Sequence, residues 1–234
     1  MSLGDELPNE VESILATKWQ FRDGQVVPEA ESVRLGNDAV KLTATVLYAD
    51  LAESTDLVNR FKKHFAAEVY KSYLHCATKI IRASGGVVTA FDGDRVMGVF
   101  IGDSKNTNAA RCALKINHAV VNVINPSIKI HYPSAEYSYL VRHAVGVDTS
   151  DLIVARTGIR GSNDLVWVGR AANYAAKLCS LREGNNSSWI TADVYNQLSE
   201  DGKNGGNPKQ PMWTKRTWTE MKIYVYSSNW TVKP

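Results

Sequence analysis

A chain of 234 residues is long enough for one sizeable domain with a well-buried core, and 44% apolar with 22% charged residues is ordinary globular composition. A net charge of +3 from scattered basic residues argues against a nucleic-acid binder, and no window is apolar enough for a membrane span. The polar start MSLGDELPNE is unlike a signal peptide. Cys76, Cys112 and Cys179 are odd in number and lack metal-ligand spacing, so reduced thiols of a cytoplasmic protein are expected.

Residues 1–40 read as a short arm, a helix near Asn9 to Lys18 followed by polar loop, and residues 41–234 as the domain proper. The β-branched run Leu42 to Ala49 predicts a strand that ends in Asp50. Ser54 or Thr55 then caps a long helix whose apolar positions Leu57, Phe61, Phe65, Val69, Tyr73, Cys76 and Ile80 recur every three or four residues. Gly85 and Gly86 stop it. The runs Val87 to Phe91 and Val96 to Ile101 flank the turn Asp92, Gly93 and Asp94, a strong hairpin signal.

A second helix is predicted from Ser104 to Ile124, ending before Pro126, and Asn125 to Ser138 reads as an irregular loop. Strands are expected at Tyr139 to Val147, Leu152 to Thr157 and Leu165 to Val168, followed by a helix over Arg170 to Leu181. A short helix at Thr191 to Leu198, a Gly, Asn and Pro-rich loop at Gly202 to Pro211 and a strand at Lys222 to Ser227 complete the chain. Strands joined by tight turns, mixed with helices but not alternating strictly, imply an α+β fold with helices on a mainly antiparallel sheet.

Asp50 and Asp94 stand at strand ends separated by a long helix. Such carboxylates can converge at one sheet edge and hold a hard divalent cation such as Mg²⁺ or Mn²⁺, which prefers oxygen ligands. Taken singly, Asp50 also reads as a helix cap and Asp94 as a turn residue.

Four segments in order, VLYADLAEST, GGVVTAFDGDRVMGVF, VRHAVGVDTSDLIVARTGIRG and LVWVGRAANYAAKL, resemble the catalytic domain of class III nucleotide cyclases over roughly Lys41 to Leu181. The short layout further resembles the bacterial pyrimidine cyclases of the Pycsar anti-phage system. The resemblance implies a ferredoxin-like, palm-like core and a cytoplasmic homodimer with two composite sites. It implies two divalent ions, Mn²⁺ or Mg²⁺, on Asp50, Asp94 and the Leu51 carbonyl, and a phosphate cradle at Ala52 to Thr55 that includes Ser54 and Thr55. Asn173 matches the family asparagine that orients the ribose, and Arg160 matches an arginine that contacts the triphosphate. Lys177 stands where the family usually has arginine; it keeps the charge for the transition state but loses the bidentate fork. A solvated helix face is the other reading of Lys177.

The positions where family purine cyclases read the base hold Ala90 and Val166, whose side chains cannot hydrogen-bond a base edge. Tyr48 lies two residues before Asp50, on the same face of the strand, and its phenol can both donate and accept toward a small base. It can equally be a core tyrosine bonded elsewhere. Conversion of UTP to cyclic UMP, a second messenger in anti-phage defence, is the leading expectation. The alternatives are an adenylate cyclase reading its base through backbone groups and a degenerate cyclase fold that binds nucleotide or only dimerises.

Overall fold

The computed structural model describes residues 2–234. In chain order the elements are α1 (Leu3–Ala16), β1 (Gln20–Asp23), β2 (Asp38–Leu51), α2 (Ser54–Arg60), α3 (Lys63–Ala83), β3 (Val87–Asp92), β4 (Arg95–Phe100) and α4 (Lys105–Ala119). A π turn (Val120–Ile124) leads into α5 (Asn125–His131), then β5 (His143–Ile159), β6 (Ser162–Gly169), α6 (Arg170–Leu178), β7 (Ser188–Thr191) and α7 (Ala192–Asn196). The remainder is α8 (Glu200–Lys203), the two-residue pair β8 (Asn204–Gly205) and β9 (Gln210–Pro211), β10 (Thr214–Trp218) and β11 (Ile223–Ser228).

The chain divides into two compact units. One comprises the residues up to Thr43 together with Asp151–Gly169; the other comprises Ala44–Ser150 and Arg170–Pro234. In the first, β1 pairs in parallel with the opening residues of β2, and β6 pairs antiparallel with the closing residues of β5. Arg22 bridges to Asp38 at 2.8 Å, and Asn37 donates to the carbonyls of Ile14 and Thr17 at the end of α1.

The second unit carries the strand order β10–β11–β7–β5–β2–β4–β3. Within it β5–β2–β4–β3 is the fourth, first, third and second strand of a β-α-β-β-α-β run, the ferredoxin-like arrangement. The sheet is mixed and mainly antiparallel, with β5 and β7 parallel. Phe65, Tyr73 and Ile81 of α3 and Leu114 and Ile116 of α4 pack with Leu47, Val96 and Phe100 of the sheet into the main core. A smaller cluster of Ala144, Leu178, Trp189, Trp218 and Val225 seats α6. Gly146 of β5 makes that seat possible: a Cβ there would stand 2.2 Å from the Ala175 carbonyl oxygen and 2.5 Å from the Cys179 nitrogen.

Several expectations are corrected. The first helix runs Leu3–Ala16, not Asn9 to Lys18, because Ser2 and Asp5 form a capping box six residues earlier than assumed; the Ser2 hydroxyl donates to Asp5 at 2.8 Å. The helix after Asp50 is two helices, since Phe61 and Lys62 are extended and Phe61 turns onto Phe65 and Tyr139. The stretch from Asn125 is helical through His131: the π turn widens the backbone ahead of Pro126, which enters α5 at its first turn, where no amide donor is needed.

The two strands expected at Tyr139 to Val147 and Leu152 to Thr157 are one strand that begins at His143. Its polar centre reads as a turn, but Asp148 is fully buried and bonded to Arg170 and Thr191. Asp151 accepts a hydrogen bond from the Thr43 hydroxyl. The short strands β1, β7 and β10 were not anticipated; at four or five residues they are too brief to show a period.

Candidate active site

Strand β2 delivers Tyr48 and Asp50 on one face at the strand end, and β4 pairs beside it with Asp50 opposite Arg95. The turn joining β3 to β4 is Gly93–Asp94, closed by Asp92 opposite Arg95. Gly93 has φ 59° at the first central position, where a type II′ hairpin turn requires glycine. That turn and that register set Asp94 beside Asp50.

The electrostatics register the proximity. Burial raises the Asp50 carboxyl above its ordinary value, the Asp94 charge raises it further, and Arg95 and Arg182 pull it back. One oxygen of Asp94, Oδ2, is buried without a hydrogen-bond partner among the described residues. An orphaned carboxylate oxygen of this kind calls for an ion or water. Two carboxylates and the adjacent Leu51 carbonyl are hard oxygen donors, and they fit a small divalent cation that completes its shell with water and substrate phosphates. No cluster of three or more His, Cys, Asp or Glu suited to a metal occurs among the described residues, so no all-protein cage is formed.

Two guanidinium groups that sequence reasoning missed surround Asp50. Arg182 donates through Nη2 to Asp50 Oδ2 at 3.2 Å and to the Leu51 carbonyl at 3.5 Å, while its Nη1 donates to Cys179 O at 2.7 Å. Arg95 lies 3.8 Å from Asp50 and 3.8 Å from Asp92, with its guanidinium 5.8 Å from the Tyr48 ring centre. The neighbour of Asp94 in the turn could have been named from the hairpin register. Arg182 could not, being 132 residues from its partner. Beneath them Tyr73 and His143 are buried, ring centres 5.8 Å apart, and Tyr73 Oη and His143 Nε2 have no hydrogen-bond partner among the described residues. Burial, with help from Arg182, pushes the His143 imidazole down to about 3, so it is neutral.

Tyr48 is partly buried, and its hydroxyl makes no hydrogen bond among the described residues. Helix α6 exposes Asn173 and Lys177 one turn apart. Lys177 is paired with Glu220 at 3.1 Å and half exposed. The base of α6 is fixed by Arg170, which bonds the buried Asp148 at 3.1 Å, Asp193, and the Thr149 carbonyl at 2.8 Å. The Ala171 N–H donates to Ser150 Oγ at 3.0 Å.

Ser54 and Thr55 open α2, preceded by Glu53 in the left-handed region at φ 59°, a costly place for a non-glycine residue. The Ala52 N–H is not free for a phosphate, because it donates to the Arg142 carbonyl at 2.9 Å. Ala90 is half-buried on β3. Arg160 and Val166 belong to the first unit, Arg160 exposed in the turn between β5 and β6 and Val166 exposed on β6. All three cysteines are free thiols.

No protein-family model matches the chain. A bacterial light-regulated adenylyl cyclase superposes with a TM-score of 0.67 at 22% identity, covering 82% of this chain and 53% of that one, so the chain spans about half that enzyme's length. The fold is that of the class III nucleotide cyclases. The uridylate cyclase of Burkholderia cepacia is 50% identical and that of Xanthomonas perforans 48% identical, each over 232 residues and 98% of both chains. The chain belongs to the uridylate cyclase family, and it is a nucleotide cyclase.

Proposed function

We propose that this enzyme converts UTP to 3′,5′-cyclic UMP and pyrophosphate. The observation that carries the reading is full-length likeness, at 50% identity, to a uridylate cyclase. In the reaction the ribose 3′-oxygen bonds to the α-phosphorus, the bond from that phosphorus to the departing pyrophosphate breaks, and the 3′-hydroxyl loses its proton. Asp50, Asp94 and the Leu51 carbonyl would hold two divalent ions, Mn²⁺ or Mg²⁺, which supply charge neutralisation at the phosphates and acidify the 3′-hydroxyl.

The other residues bind and orient. Tyr48, with its hydroxyl unbonded and its ring beside Arg95, contacts the uracil edge. Neither Ala90 nor Val166 offers a side-chain partner to a purine. Ser54 and Thr55 line the triphosphate, Asn173 orients the ribose, and Lys177 and Arg160 meet phosphate charge. Lys177 must leave Glu220 to do so, an exposed pair that costs little to break. Asn173 and Lys177 act on the metal half of a second copy in a head-to-tail homodimer. Residues 1–40 are an arm of the catalytic domain, residues 41–234. Free thiols suit the cytoplasm, where cyclic UMP would serve as a messenger in anti-phage defence.

The test is to incubate the purified protein with each of the four ribonucleoside triphosphates and Mn²⁺ and to identify products by mass. Cyclic UMP in excess over the other products is expected. Cyclic AMP as main product, or no product from an intact dimer, would overturn the assignment.

A further inference from the structure

We propose that Arg182 is a positioning residue of the metal site: its guanidinium is the internal cation that holds Asp50 and the Leu51 carbonyl until a divalent ion displaces it. The inference rests on the reading of Asp50, Asp94 and Leu51 as metal ligands, and it adds a residue from the segment that follows α6 to that set.

Three observations lead there. Arg182 Nη2 reaches Asp50 Oδ2 and the Leu51 carbonyl oxygen, two of the three groups assigned to the ions. A cation is therefore already in contact with the ligands. The grip is uneven, however. Contacts of 3.2 and 3.5 Å are longer than the 2.7–2.9 Å of a strong charge-assisted bond. At the other end Nη1 holds Cys179 O at 2.7 Å and Leu181 O at 3.1 Å, carbonyls just beyond the helix end, where positive charge is favoured. Nη2 can thus let go by a small rotation while Nη1 stays anchored. The Arg182 side chain is 39% exposed against 16% for Asp50, so the released nitrogen can reach solvent.

Charge repulsion drives the release. Asp50, Asp92 and Asp94 are offset in part by Arg95 and Arg182, two guanidiniums against three carboxylates. A divalent ion entering beside them meets repulsion from both guanidiniums. Arg95 stands 3.8 Å from both Asp50 and Asp92, beyond hydrogen-bond distance, so Arg182 is the guanidinium in direct contact with the ligands. Arg182 is the group whose contact with the ligands can be given up. The arrangement keeps Asp50 and Leu51 in a ligating pose without metal and sets the metal concentration at which the site fills.

The test reads metal binding rather than turnover. Mn²⁺ is titrated into the metal-free, nucleotide-free protein by calorimetry, comparing wild type with Arg182→Gln and Arg182→Lys. Removing the competing charge should tighten Mn²⁺ binding about tenfold in Arg182→Gln and enlarge the Mn²⁺-induced rise in Tm, with Arg182→Lys within about threefold of wild type. Mn²⁺ binding by Arg182→Gln that is unchanged or weaker overturns the proposal. In wild type, Mg²⁺ should shift the Arg182 Nε resonance, a measurement needing no substitution, and an unmoved resonance likewise overturns it. Asp50→Asn separates the two readings. Loss of Mn²⁺ binding in that variant upholds the ligand assignment whatever Arg182 does, and full retention overturns both.

Discussion

The carboxylate corner and the exposed face of α6 are built on opposite terms. At the corner, Asp50 is only 16% exposed, shares its field with Asp94 and is bracketed by two guanidiniums over a buried Tyr73 and His143. On α6, Asn173 and Lys177 point to solvent, and Lys177 has a single surface ion pair at 3.1 Å. One half is ordered in advance by the fold, and the other is left open for something to arrive against it. Pre-ordered charge suits electrostatic stabilisation, which loses its value if groups must reorganise during reaction. An open helix face suits the half-site that the proposed homodimer would supply to a second copy.

The largest expected effect breaks the corner. Asp50→Ala or Asp94→Ala should lower kcat/KM at least about a thousandfold, roughly 4 kcal/mol, while size-exclusion and circular dichroism profiles stay unchanged. Substantial turnover in both variants would dismiss the metal assignment.

Next is the footing of α6. Asp148→Ala removes the buried partner of Arg170 and Thr191 and should cost about 2 kcal/mol in urea unfolding, the scale of lost hydrogen bonds to a charged group, since the half-exposed Arg170 keeps Asp193. A loss below about 1 kcal/mol would mean that other contacts hold the helix base.

His143, below the corner, faces the Tyr73 ring and the Arg182 charge. Its folded-state value of about 3 lies below the ordinary 6.5, so the unfolded state binds more protons between those limits and stability falls as pH drops from 6.5 toward 3. The slope attributable to His143 approaches about 1.4 kcal/mol per pH unit in that window, or about 2 kcal/mol between pH 6.5 and 5. His143→Leu should flatten the urea midpoint over that range; an unchanged slope would assign the acid sensitivity to other groups.

The smallest expected effect sharpens base choice. Tyr48→Phe should reduce preference for UTP over ATP about tenfold with kcat within about threefold of wild type, since a lost hydrogen bond to the base alters discrimination more than chemistry. Unaltered selectivity would remove Tyr48 from base reading.

How much of this was written in the sequence depends on the range over which each feature is determined. Asp50 and Asp94 stood out because a local cause places each: an apolar strand that stops at a carboxylate, and a glycine turn whose register is set within ten residues. The ferredoxin-like order came with the same segments. Arg182 did not stand out, since nothing in LCSLRE distinguishes it from a helix-ending arginine until the fold carries it to Asp50. Asp148 misled for a related reason. A carboxylate in mid-strand reads as a turn unless its partners, Arg170 and Thr191, are known to arrive from elsewhere. The unbroken passage from α4 into α5 was hidden by Pro126, whose usual meaning as a stop is cancelled by the π turn before it.

The missing side chain at Gly146 has a mechanical result. With only hydrogen between β5 and the turn of α6 at Ala175 to Cys179, backbone bears directly on backbone, so that turn has no compressible cushion beneath it. Any push on β5 is handed straight to the shaft that presents Asn173. Even one methyl group at position 146 would act as a shim, lifting Asn173 without touching it.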